Sequence, residues 1–249
     1  MNNLDDFLNK IIHGDCLEIL KQIPDESVDL LVTDPPFGVS QKGRCLMRSD
    51  RKPITLDYGE WDYFDDDKEF NDFTESWFKE CVRVIKRGAW LYVFFNNARI
   101  GLISEILGPK YNLNTRTIYV WVKSNPTPKF RTTNWLSATE LIWVGSKGDD
   151  RIKNFMSQKE MANYMIIPNK SIFGETDHPC EKPKELISRF IRASSNEGDV
   201  VLDPFVGSGT VAVAAAELKR NFIAIEKDEK YVQIANERLK KTTKQLILL

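Results

Sequence analysis

The chain of 249 residues shows no strong excess of either charge, with 35 Lys and Arg against 36 Asp and Glu and a net charge of −1. Nucleic-acid binding, if present, must therefore depend on local basic segments and not on a globally basic surface. No stretch approaches the roughly 18 apolar residues of a membrane-spanning helix. The start of the chain is polar and acidic, unlike a signal peptide. We expect a cytoplasmic protein without a membrane segment.

Cysteine and histidine are also scarce, with four Cys and two His in the whole chain. The cysteines are scattered and form no Cys-x-x-Cys pair, which indicates reduced thiols and neither disulfides nor zinc ligands. His178 and Cys180 lie two positions apart, but a structural metal site needs four clustered ligands. We therefore expect no metal.

The most informative stretch is Asp34-Pro35-Pro36-Phe37, which follows the apolar run 28–32. The run predicts a buried parallel strand, and two prolines end it because neither can donate to a sheet ladder. A carboxylate and an aromatic ring are then held at the carboxyl end of a strand, where open α/β sheets bind ligands. Asp34 and the Pro35 carbonyl can accept from an exocyclic amine while Phe37 stacks on the base. A surface turn is the alternative interpretation of so short a motif.

A second motif lies near the carboxyl terminus, where residues 199–210 predict a strand, a tight glycine turn and the start of a helix. The next strand ends at Glu226, which lies 17 residues after Gly209. This separation is close to the ~20 residues expected between the glycine turn and a ribose-binding acid. Asp203 stands just before the turn, where it would repel a pyrophosphate but attract an ammonium group. It therefore favours S-adenosylmethionine over a nicotinamide dinucleotide. A glycine turn that only allows tight helix packing is the alternative.

Taken together and in this order, the two motifs resemble those of the β-class amino-DNA methyltransferases, in which the catalytic motif precedes the cofactor motif. The segments 14–16, 58–62 and 178–183 also match, so the resemblance covers about 11–123 and 178–240. It implies an α/β, Rossmann-like methyltransferase fold with a circularly permuted motif order. The expected sheet is mostly parallel and seven-stranded, with one antiparallel strand and helices on both faces.

The resemblance also divides the chain and assigns roles. Residues 1–123 form a catalytic half, 124–177 a target-recognition insertion and 178–249 a cofactor-binding half. The catalytic group is Asp34, Pro35, Pro36 and Phe37. The residues expected to bind S-adenosylmethionine are Asp15, Cys16, Lys182, Asp203, Phe205, Gly207, Gly209 and Glu226. Among these, Asp15 would meet the adenine amine, Lys182 the carboxylate, Asp203 the ammonium and Glu226 the ribose. A cap for the helix that follows is the alternative for Asp15.

Two polar segments contain clustered cations. The segment 40–56 has five Lys and Arg against one acid, and 124–137 interleaves cations with aromatic rings. Such composition suits a nucleic-acid surface. We expect 40–56 to be a mobile basic loop that meets phosphates, and a loop that is only solvated is the alternative. The residues expected to contact DNA are Lys42, Arg44, Arg48, Arg51, Lys123, Lys129, Arg131 and Trp135.

We therefore expect a site-specific DNA methyltransferase that modifies the N6 amine of a flipped adenine in a short duplex site. In the family that the chain resembles, Asp at the first motif position leans toward adenine and Ser toward cytosine. The alternatives are an N4-cytosine enzyme, an RNA or protein-amide methyltransferase, and an inactive DNA-binding homologue. The expected partner is double-stranded DNA; a homodimer and a cognate restriction endonuclease are further partners that the resemblance allows.

Overall fold

The computed structural model describes residues 3–40, 45–47, 53–55, 60–126, 135–149, 151–169 and 181–247. Its strands are β1 (Lys10–His13), β2 (Val28–Thr33), β3 (Cys45–Met47), β4 (Pro53–Thr55), β5 (Ile85–Phe95), β6 (Asn114–Lys123), β7 (Thr139–Ser146), β8 (Tyr164–Ile167), β9 (Val200–Asp203) and β10 (Asn221–Glu226). The α-helices are α1 (Cys16–Leu20), α2 (Asp67–Val84), α3 (Gly108–Lys110), α4 (Lys184–Ser194), α5 (Thr210–Glu217) and α6 (Glu229–Ile247). A π-helical stretch, Leu102–Leu107, leads into α3.

Within these residues, the main sheet has eight strands in the order β1-β10-β9-β2-β5-β7-β6-β8. The neighbours from β1 to β5 are parallel, β7 runs antiparallel to both β5 and β6, and β8 is parallel to β6. The predicted α/β fold with a mostly parallel sheet and one antiparallel strand is thus confirmed.

The predicted number of seven strands is wrong, because β8 adds an eighth at the edge. Its residues alternate between exposed and buried, with Met165 and Ile167 inside. The Ile167 carbonyl also accepts from the Trp121 indole at 3.1 Å. A four-residue strand inside a polar segment is too short to show a period in the sequence. The division of the chain at 124 and 177 stays a prediction.

Helices cover both faces of the sheet, because alternate residues of each central strand are apolar on both sides. Leu31 of β2 and Trp77 of α2 belong to the buried cluster on one face, and Leu30 and Phe190 of α4 belong to the cluster on the other. Leu31 is fully buried, and burial of one leucine side chain stabilises the fold by about 1.5–3 kcal/mol. Across the described residues, no helix combines the length and apolar character needed to cross a membrane.

The predicted loop at 40–56 differs from the structure. This basic segment contains an antiparallel pair, β3 with β4, and is not a loop throughout. A glycine that follows the last turn of a helix is often its C-cap, but α2 ends at Val84, where the Ile85 N–H closes it on the Cys81 carbonyl. Gly88 instead lies inside β5 with φ of 83°. The strand begins early because Ile85 is buried and pairs with Val28.

The sheet positions the site through its strand order. β2 and β9 are neighbours at the centre, with Leu31 opposite Leu202. From β2 the order continues to β5, whereas from β9 it continues to β10 in the opposite direction. A crevice forms at the carboxyl ends of strands where the order reverses in this way. Asp34 follows β2 and Asp203 ends β9, so both lie at this crevice.

Candidate active site

A cleft of about 790 Å³ opens along the carboxyl edge of the sheet. Its volume lies within the roughly 300–1,000 Å³ of small-molecule sites. The predicted catalytic and cofactor-binding residues that line it are Asp15, Cys16, Asp34, Pro35, Pro36, Phe37, Lys182, Asp203, Phe205, Gly207 and Glu226. Residues from opposite ends of the chain therefore meet in one cavity. Gly209 is the member of the predicted set that does not line it.

The Asp34 carboxylate is held at the centre of the cleft between rigid prolines and a lysine. Pro35 and Pro36 are buried, and the Oδ2 atom of Asp34 lies 2.8 Å from Lys182 Nζ. The Oδ1 atom is buried without a hydrogen-bond partner among the described residues. Burial raises the pKa of Asp34 to about 6, although the Lys182 ammonium opposes that rise. A buried carboxylate oxygen without a donor marks a place where a ligand donor fits.

Lys182 links Asp34 to a second acid that the sequence prediction missed. Its Nζ lies 3.2 Å from Glu140 Oε2, and Lys123 Nζ lies 2.7 Å from Glu140 Oε1. Burial alone would raise the pKa of Glu140, but the two ammonium groups bring it below its ordinary value. No sequence signal marks Glu140, because its partners are distant along the chain. These ion pairs place Lys182 beside Asp34, a relationship that the role predicted for Lys182 toward the cofactor did not include.

Phe37 lies at the same side of the cleft and is only half-buried. Its ring packs at a tilt against Phe95, with the centroids 6.5 Å apart. Lys182 Nζ lies 5.5 Å from the Phe37 centroid and 5.3 Å from that of Phe94. A ring that is supported on one side and partly open on the other can stack on a planar ligand.

Asp62 fixes the loop that carries Phe37. Its side chain is 2 % exposed, and its two oxygens accept the backbone N–H groups of four consecutive residues at 2.7–3.0 Å. Those residues are Phe37, Gly38, Val39 and Ser40. Hydrogen bonds to a carboxylate are about twice as strong as neutral ones. The segment 58–62 carried the family resemblance, but no role was predicted for this acid.

On the cofactor side, Asp203 is buried and anchored by two donors. Its Oδ1 accepts from the Thr33 hydroxyl at 2.8 Å and from the Phe205 N–H at 3.1 Å. Burial raises the pKa of Asp203 to about 7 against these hydrogen bonds. Because Thr33 directly precedes Asp34, this hydrogen bond links the end of β2 to the end of β9.

The glycine turn after β9 is held by Glu226. Glu226 Oε2 accepts from the Gly207 N–H at 2.9 Å, and Oε1 accepts from the Asp228 N–H at 2.8 Å. Burial raises the pKa of Glu226, and these backbone donors oppose that rise. Phe205 packs edge-on against Trp77 with centroids 5.5 Å apart. Phe205 and Gly207 of the turn and the neighbouring Glu226 therefore line the cavity together.

Gly209 has a packing reason to be glycine. Its φ is +88°, and an added Cβ would lie 2.9 Å from the Ala235 Cβ. Only glycine combines this backbone conformation with so close an approach of α5 to α6. The alternative interpretation of the sequence, a glycine for tight helix packing, thus describes Gly209 well, while Gly207 lines the cleft.

Asp15 and Cys16 form the outer wall. Asp15 caps α1, since its Oδ1 accepts from the Leu17 N–H at 2.9 Å. Its other oxygen lies 3.1 Å from Lys227 Nζ. The predicted helix cap is therefore confirmed, and Asp15 still lines the cavity. Burial raises the pKa of Cys16 to about 12, so its thiol is neutral.

The residues predicted to contact DNA are only partly described. Lys123 lines the cleft and its side chain is 13 % exposed against Glu140. Trp135 is 90 % exposed. The rest of the set lies outside the described residues: Lys42, Arg44, Arg48, Arg51, Lys129 and Arg131.

Sequence comparisons identify the family to which the chain belongs. A sequence model described as DNA methylase, for N6 and N4 enzymes, matches residues 28–237. The type II methyltransferase M.HinfI of Haemophilus influenzae is 36% identical over 256 aligned positions, which cover 96% of this chain and 70% of the relative. The type II methyltransferase M2.LlaDCHI of Lactococcus lactis subsp. cremoris is 33% identical, with coverage of 93% and 89%.

Solved structures of DNA methyltransferases have a similar fold. The M1.HpyAVI–SAM complex superposes with a TM-score of 0.71 at 25% identity, covering 92% of this chain and 98% of the other. The PvuII DNA methyltransferase, described as cytosine-N4-specific, superposes with a TM-score of 0.70 at 22% identity, with coverage of 97% and 94%. At this identity the second likeness concerns the fold alone.

Proposed function

Since the chain belongs to the N6/N4 DNA methylase family, we propose that it methylates the exocyclic N6 amine of adenine in a short duplex DNA site. The cofactor is S-adenosylmethionine. The observation that carries the proposal is the meeting of Asp34, Phe37 and Asp203 in one cleft. These residues combine an amine acceptor, a stacking surface and an ammonium acceptor.

At the target side, the Asp34 carboxylate and the Pro35 carbonyl accept the two N–H groups of the amine. The buried Oδ1 atom of Asp34 has no hydrogen-bond partner within the described part of the chain, and a substrate amine would supply such a donor. Phe37 stacks on the base once it has left the helix, which offsets part of the few kcal/mol that flipping costs. Fixing the amine by the rigid prolines lowers the entropy cost of reaction.

At the cofactor side, the residues present fit S-adenosylmethionine. Asp203 is a buried acid anchored by Thr33 and the Phe205 N–H, and a bound ammonium compensates its charge. Glu226 accepts the ribose hydroxyls, Gly207 lets the backbone come close, and Phe205 and Asp15 enclose the adenosine. When bound, the cofactor supplies an electrophilic methyl group.

The choice of adenine over cytosine depends on Asp34, because Asp at this motif position leans toward adenine in the family. The fold does not discriminate, since a cytosine-N4-specific enzyme has the same architecture. N4-cytosine methylation is therefore the second candidate.

Double-stranded DNA is the proposed substrate, and the basic segments around 40–56 and 124–137 are the proposed contact regions. Both curated relatives are named type II methyltransferases, which supports a place in a restriction-modification system. We also propose that the protein acts beside a cognate restriction endonuclease and that it forms a homodimer. Changing Arg44, Arg48 and Arg51 to Ala together should reduce the salt dependence of DNA binding. An unchanged salt slope would remove this segment from the interface.

The test is a methylation assay with purified protein, S-adenosylmethionine and unmethylated duplex DNA, followed by digestion to nucleosides and mass spectrometry. N6-methyladenine supports the proposal. N4-methylcytosine would support DNA amino-methylation but contradict adenine as the target base. RNA and a protein extract serve as competing substrates. Cofactor binding with no methylated DNA nucleoside would contradict DNA methylation and favour those substrates or an inactive homologue.

A further inference from the structure

A chain of four alternating charges crosses the catalytic side of the cleft. Lys123 ends β6, Glu140 lies near the start of β7, Lys182 precedes α4 and Asp34 follows β2. The successive N–O distances are 2.7, 3.2 and 2.8 Å. Lys182 lies in the middle and its side chain is only 11 % exposed. Two cations and two carboxylates balance each other here, and their side chains are 11–26 % exposed.

We propose that Lys182 is a positioning residue for methyl transfer, which acts by orienting and charge-balancing Asp34, and that Glu140 holds Lys182 in place. The inference rests on the proposed function and goes beyond it. It assigns to Lys182 a role toward the target amine, whereas the sequence predicted a role toward the cofactor's carboxylate.

The first argument is electrostatic. The ionised carboxylate of Asp34 can accept a hydrogen bond from an amine. Burial and the negative charge of Glu140 favour the neutral carboxylic acid instead. Lys182 is the cation that opposes both effects. An opposite charge at this distance lowers the pKa of a carboxyl group by about 1–3 units. Without Lys182, the pKa of Asp34 would be higher and a smaller fraction of its carboxyl group would be ionised at neutral pH.

The second argument is geometric. The neighbouring residue, Glu181, lies 2.9 Å from Arg238 of α6, whose guanidinium also donates to the Ser208 carbonyl at 2.8 Å. Ser208 belongs to the glycine turn on the cofactor side. The two-residue segment 181–182 is therefore anchored to the cofactor turn by one side chain and to the catalytic acid by the other. This anchoring limits the movement of Lys182, so the lysine restrains Asp34.

The experiment compares Lys182→Met with Lys182→Arg and with the control Lys184→Met. Lys184 is two positions away and pairs with Glu217, outside the cleft. We expect Lys182→Met to move the acidic limb of the kcat profile up by about one pH unit, so that kcat falls about tenfold at pH 5 and about twofold at pH 7. Lys182→Arg should restore the wild-type limb. The Kd of S-adenosylmethionine, measured by calorimetry, should change less than about threefold.

Three results would overturn the inference. A large loss of cofactor affinity with an unmoved acidic limb would assign Lys182 to the cofactor's carboxylate. A loss of kcat without a shift of the limb would indicate a merely structural role. An effect of equal size in Lys184→Met would show that the loss is not specific.

A carboxyl-carbon NMR titration of Asp34 in the wild type and in Lys182→Met needs no substrate. It therefore tests the inference even where the wild-type protein fails to methylate DNA, which would be a failure of the proposed function alone. We expect the pKa of Asp34 to be higher in the variant, and an unchanged value would refute the inference. If Lys182→Met does not fold, Lys182→Gln carries the same measurements.

Discussion

The carboxylate of Asp62 accepts the backbone N–H of Phe37 at 2.7 Å. Through this bond and three more to the next residues, a buried acid fixes the backbone that carries the Phe37 ring. Asp62 contributes to the site without a proposed contact to substrate. Its role is to hold one conformation of a loop that has no helix or sheet ladder to satisfy its N–H groups.

Replacing Asp62 tests this role. We expect Asp62→Ala to destabilise the fold by about 2 kcal/mol, because four partly buried donors lose their acceptor. Asp62→Asn should cost less, since one amide oxygen remains. Thermal unfolding and hydrogen exchange at residues 37–40 measure both effects. Asp65→Ala is the control, because Asp65 is exposed and should change neither. Normal protection of these amides in Asp62→Ala would contradict the role.

The pKa of Asp34 sets the acidic limb of activity. Burial raises it to about 6, and the ionised form is the one that accepts from the amine. Methyl transfer should therefore rise with pH up to about 6 and fall about tenfold per unit below it. Asp34→Ala should lower kcat by about 10²–10³-fold or more and leave cofactor binding intact. Activity that stays constant down to pH 5, or near-normal turnover of the variant, would exclude Asp34 as the acceptor.

Asp203 makes cofactor binding depend on pH. Burial raises its pKa to about 7, and a bound ammonium favours the ionised form. Binding of S-adenosylmethionine should release a proton below pH 7, and its affinity should fall as the pH is lowered further. Calorimetry in two buffers of different ionisation enthalpy measures the proton.

Two controls separate Asp203 from Glu226, whose pKa is also raised. Asp203→Asn should bind the cofactor weakly and without the pH-dependent proton. 5′-Methylthioadenosine keeps the ribose and lacks the ammonium, so its binding should not release the Asp203 proton. Equal proton release by both ligands would place the titrating group at the ribose.

Gly209 offers a matched pair of substitutions. Gly209 and Gly198 both have positive φ, +88° and +84°, but an added Cβ meets Ala235 in the first and nothing within 4 Å in the second. Gly198→Ala should cost about 1–2 kcal/mol for the backbone alone. Gly209→Ala should cost about 1–3 kcal/mol more for overpacking. Denaturant unfolding compares the two, and equal losses would exclude a packing role for Gly209.

Much of the fold could be predicted because it depends on local patterns. The apolar run before Asp34 and the strand–turn–helix around Asp203 each determine their own structure within a few residues. Parallel strands then place their carboxyl ends at one edge of the sheet. For this reason, the predicted residues of both motifs meet in one cleft. β8 was missed because four residues carry too little periodicity.

The sequence by itself therefore determined the α/β class, the order of the two motifs and the acids and aromatic ring of the cleft. The tertiary structure alone decided which charges face one another. Lys182 is 148 positions from Asp34 and 42 from Glu140, yet all three meet because β2, β7 and the approach to α4 converge at one edge. Asp62 likewise accepts from the N–H groups of residues 37–40, which lie more than 20 positions earlier in the chain. Such pairings arise from packing over long sequence separations, and no local pattern records them.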